Sequence, residues 1–98
     1  PENAMSGTRL MFINFGEKEM AYCLPIAAKA RENGIATEIY PDAAKMKKQM
    51  NYANNCNVHY VAIAGENEIN ENKITLKNML TGEQRLVDAD ELVSIVKS

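Results

Sequence analysis

Apolar and polar positions follow two rhythms along this chain. RLMFIN, residues 9–14, is a short apolar run rich in strand formers and closed by Asn-Phe-Gly, which predicts a first strand. Over residues 17–33 the apolar positions fall at Met20, Cys23, Leu24, Ala27 and Ala30. That three-and-four spacing predicts a helix burying one face, and Asn33-Gly34 offers the left-handed residue that closes its last turn. Pro25 conflicts with the pattern, because a proline removes one backbone donor and should kink the helix or delay its start to about Tyr22. IATEIY, residues 35–40, alternates as a second strand, and Pro41-Asp42 turns the chain. A second helix is predicted over residues 44–56, with Met46, Met50 and Ala53 inward and Lys45, Lys48 and Tyr52 along another face. HYVAIAG, residues 59–65, is continuously apolar, as in a strand buried on both faces.

The rhythm then changes. Residues 66–72 read as a polar connection, KITLKNML alternates, Thr81-Gly82 signals a turn, and EQRLV returns, which together predict a hairpin. Asp88, with Glu91 three residues on, caps a closing helix over residues 89–97. Two strand-helix-strand units in succession imply right-handed crossovers and a parallel core sheet. The fold class expected is therefore α/β: three layers, with a five-stranded mixed sheet of parallel strands one to three plus a C-terminal hairpin, and three helices.

Length and composition narrow this further. With 98 residues, 46% of them hydrophobic, the chain can bury one core and no more. It shows neither a span of roughly 20 apolar residues nor a basic-then-apolar leader, so the expectation is a soluble, cytoplasmic protein without a membrane partner. Cys23 and Cys56 lie in helical patterns and read as free thiols of a reducing compartment. PENAMSGT, residues 1–8, lacks periodicity and reads as an interdomain linker or cloning remnant, leaving residues 9–98 as the domain and the whole as a piece of something longer.

Enzyme signatures are sparse. The turn after the first strand, NFGEKE, has one glycine followed by acids, and so lacks both the dinucleotide fingerprint and the phosphate loop. No catalytic residue is assigned. Cys56 and His59 form a Cys-x-x-His that Cys23 could join, but scattered ligands of this kind are better read as a core histidine and packed thiols, and no metal is expected. Glu66, Glu68 and Glu71 lack the spacing of a calcium loop and read as a solvated connection.

Charge singles out one stretch. The net charge is −2, which argues against strong nonspecific binding to DNA or RNA, yet residues 43–65 contain no acid and three lysines. On a helix, Lys45, Lys48 and Tyr52 fall on one side and Lys47, Asn51 and Asn54 on an adjacent one. Lysines suit phosphates, asparagine amides suit base edges, and an aromatic ring suits an unpaired base. Asn14 and Phe15 could add to them, since ligands of open parallel sheets settle beyond the carboxyl ends of strands. A solvated basic helix whose tyrosine packs on a neighbour is the plainer alternative.

The words INFGEKEMAYCLPIAAKARENGI, KMKKQMNYA, HYVAIAGENEI and KITLKNMLTGEQ, in that order, resemble the C-terminal anticodon-binding domains of class II aminoacyl-tRNA synthetases, and most of all the histidyl-tRNA synthetase branch. The threonyl, prolyl and glycyl branches share that fold. The resemblance implies a module that is not itself an enzyme. It would grip the anticodon stem-loop of histidine tRNA while an absent catalytic domain, in a homodimeric parent, attaches histidine using ATP and Mg. It also implies a contact surface of Asn14, Phe15, Lys45, Lys48 and Lys47, together with Lys77 and Asn78 in the Thr-Leu-Lys segment, with Lys77 foremost, and the helix reading adds Tyr52. Pro25 and Asn57 depart from the family pattern, the second standing where a glycine commonly ends helix two. The competing functions are a protein-interaction or dimerisation module on the same fold and a flavodoxin-like small-molecule binder. The acids after the first strand and the hairpin speak against the latter.

Overall fold

A computed structural model describes residues 7–98. Most of the expected linker lies outside the described residues, but Thr8, placed within it by sequence, is buried and donates to Glu38 Oε2 at 3.1 Å, so it belongs to the domain.

The chain forms β1 (Leu10–Phe12), α1 (Glu17–Glu32), β2 (Thr37–Ile39), α2 (Met46–Asn55), β3 (Tyr60–Ile63), α3 (Glu66–Glu71), β4 (Ile74–Asn78), β5 (Gln84–Val87) and α4 (Ala89–Lys97). The sheet order is β2-β1-β3-β4-β5. β1 pairs in parallel with β2 and β3, while β3 with β4 and β4 with β5 are antiparallel. This is the expected mixed sheet.

Alternation along the strands divides the core in two. Leu10, Phe12, Ala62, Ile74, Leu76 and Val87 face α1 and α4, meeting Cys23, Ile26, Ala27, Ala30, Leu92, Val93 and Val96. Met11, Ile13, Val61 and Ile63 face the other way, where Ala53 of α2 and Val58 cover them. Each large apolar side chain taken fully out of water contributes about 1.5–3 kcal/mol, so both faces matter to stability. The coverage is unequal. α1 and α4 span their face out to β5, whereas α2 covers β1 and β3, and among the described residues no helix lies over the β4-β5 half of that face.

Among the described residues four helices form where three were expected. Residues 66–72 are not a plain connection: Glu66–Glu71 makes one turn and a half, held by Glu68 accepting from the Gly65 N–H at 2.8 Å and closed by Asn72 in the left-handed region. With Ile69 as its one apolar residue, this segment has no periodicity to read. Pro25 neither delays nor ends α1, which runs unbroken from Glu17 to Glu32. Both Pro25 and Ala21, whose carbonyl loses its donor, are on the exposed side, so water can satisfy the freed group. On α2 the inward stripe is also revised: Met46 is exposed, and Gln49 is fully buried alongside Ala53. A buried carboxamide persists only with its hydrogen bonds made, and these bonds shape the site.

Candidate nucleic-acid interface

β1 leads through α1 outward to β2, and the chain returns through α2 past β1 to β3, so the strand order reverses between β1 and β3. Beyond the carboxyl ends of those strands lies the crevice such sheets offer to ligands. Asn14 stands at its base. It is buried, and both ends of its side chain are occupied: Nδ2 donates to the Tyr40 carbonyl at 2.9 Å, and Oδ1 accepts from the Gly16 N–H at 2.9 Å. Asn14 therefore builds the frame of the crevice. Phe15 is 37% exposed, with its ring close to Gly65 at the end of β3. Gly16 has φ +130, a conformation that admits glycine, and turns the chain into α1.

Gln49 ties α2 to this point. Its Oε1 accepts from the Asn14 N–H at 2.7 Å, and its Nε2 donates to the Asn14 carbonyl and to the Ala44 carbonyl, both at 2.8 Å. β1 has ended as a strand at Phe12, and the Gln49 side chain pairs with Asn14 as a neighbouring strand would.

The flanks of α2 are set by an aromatic contact. The Tyr52 ring meets Tyr40 edge to face, centroids 5.3 Å apart and planes at 78°, which turns that flank toward the β2 side of the sheet. Lys48 and Lys45, one and two turns earlier, share it. Lys47, Asn51 and Asn54 run along the opposite flank, toward β4. The six polar residues thus border two different strips of surface, and all three lysines are exposed. α2 carries no acidic residue at all.

The bare half of the sheet lies beside the second flank. In antiparallel pairing, directly opposed residues share a face, so Lys77 opposite Val61 and Gln84 opposite Lys77 both lie on the α2 face, as do Thr75 opposite Ile63 and Leu86 opposite Thr75. Ile74 and Leu76 alternate with them and are buried beneath α4, whereas Leu86 is 49% exposed. Asn78 points elsewhere. Opposed to Tyr60, it lies on the far face from Lys77, and its Oδ1 accepts from Leu80 N–H and Thr81 N–H at 2.9 and 3.2 Å, closing the hairpin. The structure makes Asn78 a turn-former. Three residues have no counterpart among those expected from sequence: Gln49, Gln84 and the exposed Leu86. Gln49 sits three residues after Met46 and four before Ala53, on the inward stripe, and Gln84 is placed across from Lys77 by the Thr81-Gly82 turn.

The remaining titratable groups serve the fold. The Cys23 thiol is pushed up to about 12 by burial, then by the nearby Glu19, and it lies in the α1 cluster. Cys56 packs against the α2 cluster, on the far side of the sheet, so the two cannot share a ligand. His59 is lowered by burial and then by Arg9, and its ring stacks on Tyr60 with centroids 4.2 Å apart. Among the described residues no three His, Cys, Asp or Glu side chains gather as a metal site. No helix among them is long and apolar enough to cross a membrane.

A small mixed sheet with one half-bare face, bordered by a basic acid-free helix, is an architecture suited to binding unpaired nucleic acid. The chain belongs to the anticodon binding domain family, whose model matches residues 9–98. It is 63% identical over its full length to a histidine–tRNA ligase of Phocaeicola vulgatus, of which it spans 22%. Among solved structures, it resembles apo S. aureus histidyl-tRNA synthetase with a TM-score of 0.81 and 29% identity, covering 94% of this chain and 24% of that one. The histidyl-tRNA synthetase from Nostoc sp. PCC 7120 shares the fold with a TM-score of 0.87 at 22% identity, covering 93% of this chain and 22% of that one. The chain thus spans about a fifth of the length of the curated relatives it matches.

Proposed function

We propose that this chain is the anticodon-binding part of a histidine–tRNA ligase and holds the anticodon stem-loop of histidine tRNA. Attachment of histidine, with its ATP and Mg, belongs to a catalytic part outside these residues, in a cytoplasmic, homodimeric parent. The observation that carries the reading is the bare β4-β5 half of the sheet with Lys77 and Gln84 on it, next to an α2 flank bearing Lys47, Asn51 and Asn54. Single-stranded loops are the part of an RNA whose base edges a protein can reach. Gln84 and the asparagines can pair with those edges, Lys77 and Lys47 can neutralise phosphates, and Phe15, Tyr52 and Leu86 offer apolar surface for bases. Stacking is worth about 1–3 kcal/mol per base and is the stronger local effect. Lys45 and Lys48, on the other flank, would meet the backbone on the crevice side.

The net charge of −2 is no obstacle, because most of the acids open helices rather than line the strip, the exception being Glu68, which accepts from the Thr75 hydroxyl on the α2 face. Glu17 and Glu19 open α1, Glu66 and Glu68 open α3, and Asp90 and Glu91 open α4. In the intact parent, a second contact to the tRNA would make the anticodon contact effectively intramolecular, so weak affinity in this part suffices. Fluorescence anisotropy with a labelled histidine-tRNA anticodon stem-loop tests the reading. Binding should be weak, preferred over a stem-loop of unrelated anticodon, and reduced by salt. Equal affinity for both stem-loops would count against it.

A further inference from the structure

We propose that Gln49 is a positioning residue for RNA binding: it locks the lysine-bearing first turn of α2 to the end of β1 and thereby fixes Lys45, Lys47 and Lys48 relative to Phe15. The inference rests on the RNA-binding reading above. It starts from an electrostatic defect. Lys45 occupies the N-cap of α2 without a capping side chain, Lys47 and Lys48 follow in the first turn, and no acid offsets them. Cations at the N-terminal end of a helix oppose its dipole, and each orphan N–H there goes without a side-chain acceptor. A helix start of this composition is disfavoured locally and needs a tertiary anchor.

Gln49 is that anchor. It is fully buried, and it uses both amide hydrogens and its oxygen at once, on Asn14 N–H, Asn14 C=O and Ala44 C=O. The Ala44 bond holds the residue just before the N-cap, and the Asn14 pair holds the strand end from which Phe15 projects. Asn14 in turn grips Tyr40 and Gly16 through its own side chain. One buried carboxamide therefore connects the exit of β1, the exit of β2 and the entry of α2. An apolar residue of the same length would fill the space but leave the Asn14 N–H and C=O unpaired, so the helix start would be free to shift on the sheet. A site held this loosely loses its preorganisation while the fold survives.

The test compares Gln49→Met with Val96→Ala, a buried substitution on the α1-α4 face that is remote from the strip, in the 98-residue chain. Stem-loop affinity and its salt dependence are measured below the unfolding temperature of each. Gln49→Met should weaken binding about tenfold, and the slope of log K against log salt should flatten by about 0.7 for each lysine that no longer reaches a phosphate. Val96→Ala should keep both. Wild-type affinity and slope in Gln49→Met, or an equal weakening in Val96→Ala, would overturn the proposal. If the wild-type chain itself does not bind the stem-loop, the functional reading fails instead. The clamp is then judged by amide hydrogen exchange: faster exchange at Asn14, Lys48 and Gln49 in Gln49→Met alone supports it, and unchanged exchange overturns it.

Discussion

Lys77 stands directly opposite Val61 in the antiparallel pairing of β4 with β3, and the two side chains therefore share one face of the sheet. Val61 is buried under α2, whereas Lys77, one strand further out, is only half-buried. The boundary between covered and bare sheet passes between them. Arg85, opposite Leu76 in the same hairpin, lies on the other face. Lys77→Ala should weaken stem-loop binding and lower the salt slope by about 0.7, while Arg85→Ala, of the same charge change, should alter neither. Anisotropy over a salt series distinguishes them, and equal effects would mean that face does not matter. In the intact parent, Lys77→Ala should leave ATP-dependent histidine activation unchanged.

Pro25 sits inside a continuous α1. Pro25→Ala should raise stability by about 1–3 kcal/mol, since the new N–H can reach the Ala21 carbonyl and the helix interior no longer carries a proline. Urea unfolding followed by circular dichroism measures this; a lowered midpoint would mean that the ring makes contacts worth more than the missing bond.

Asn57 follows the end of α2 with φ +59, in the left-handed region. Asn57→Gly should be neutral or slightly stabilising, and Asn57→Ala should cost about 1 kcal/mol, because the short polar side chain of asparagine favours the left-handed region through local hydrogen bonds that alanine cannot make. Thermal melts of the pair decide it, with equal melting temperatures as the contrary result.

The Glu68 carboxyl is pushed up by burial, but hydrogen bonds from the Thr75 hydroxyl, the Gly65 N–H and its own N–H outweigh this and hold it below the ordinary value of 4.5. A lowered folded value means that the stabilisation is complete above pH 4.5 and is lost as pH falls through that lowered value. Glu68→Gln should therefore be less stable than wild type at about pH 7, and the gap should close on acidification below 4.5. A gap constant from about pH 7 to about pH 3 would contradict the assignment.

Most of the fold was legible because each element carried its own pattern. Continuous apolar runs marked β1 and β3, the 3.6-residue rhythm marked α1, the Asp88 and Glu91 capping pair marked α4, and Thr81-Gly82 marked the hairpin. The failures have a common origin in hydrogen bonds that sequence patterns do not display. α3 is held by Glu68 reaching back to Gly65, which hydrophobic periodicity ignores. The burial of Gln49 depends on Asn14, thirty-five positions away, and nothing local announces it. Asn14 and Asn78 look like free amides in the sequence, because only the folded backbone reveals that their side-chain oxygens already accept hydrogen bonds. On the site itself, sequence identified the basic residues; the Tyr40–Tyr52 contact then turned Lys45 and Lys48 to the β2 side, and the strand register put Lys77 on the face beside Lys47.

The central claim is that RNA lies on the bare half-sheet beside α2, and amide chemical-shift mapping tests it most directly. Titrating the isotope-labelled chain with a histidine-tRNA anticodon stem-loop should shift the amides of Lys47, Asn54, Lys77, Gln84 and Leu86, together with Phe15, and leave α1 and α4 still. Shifts confined to α1 and α4, with the β4-β5 strip silent, would contradict the account.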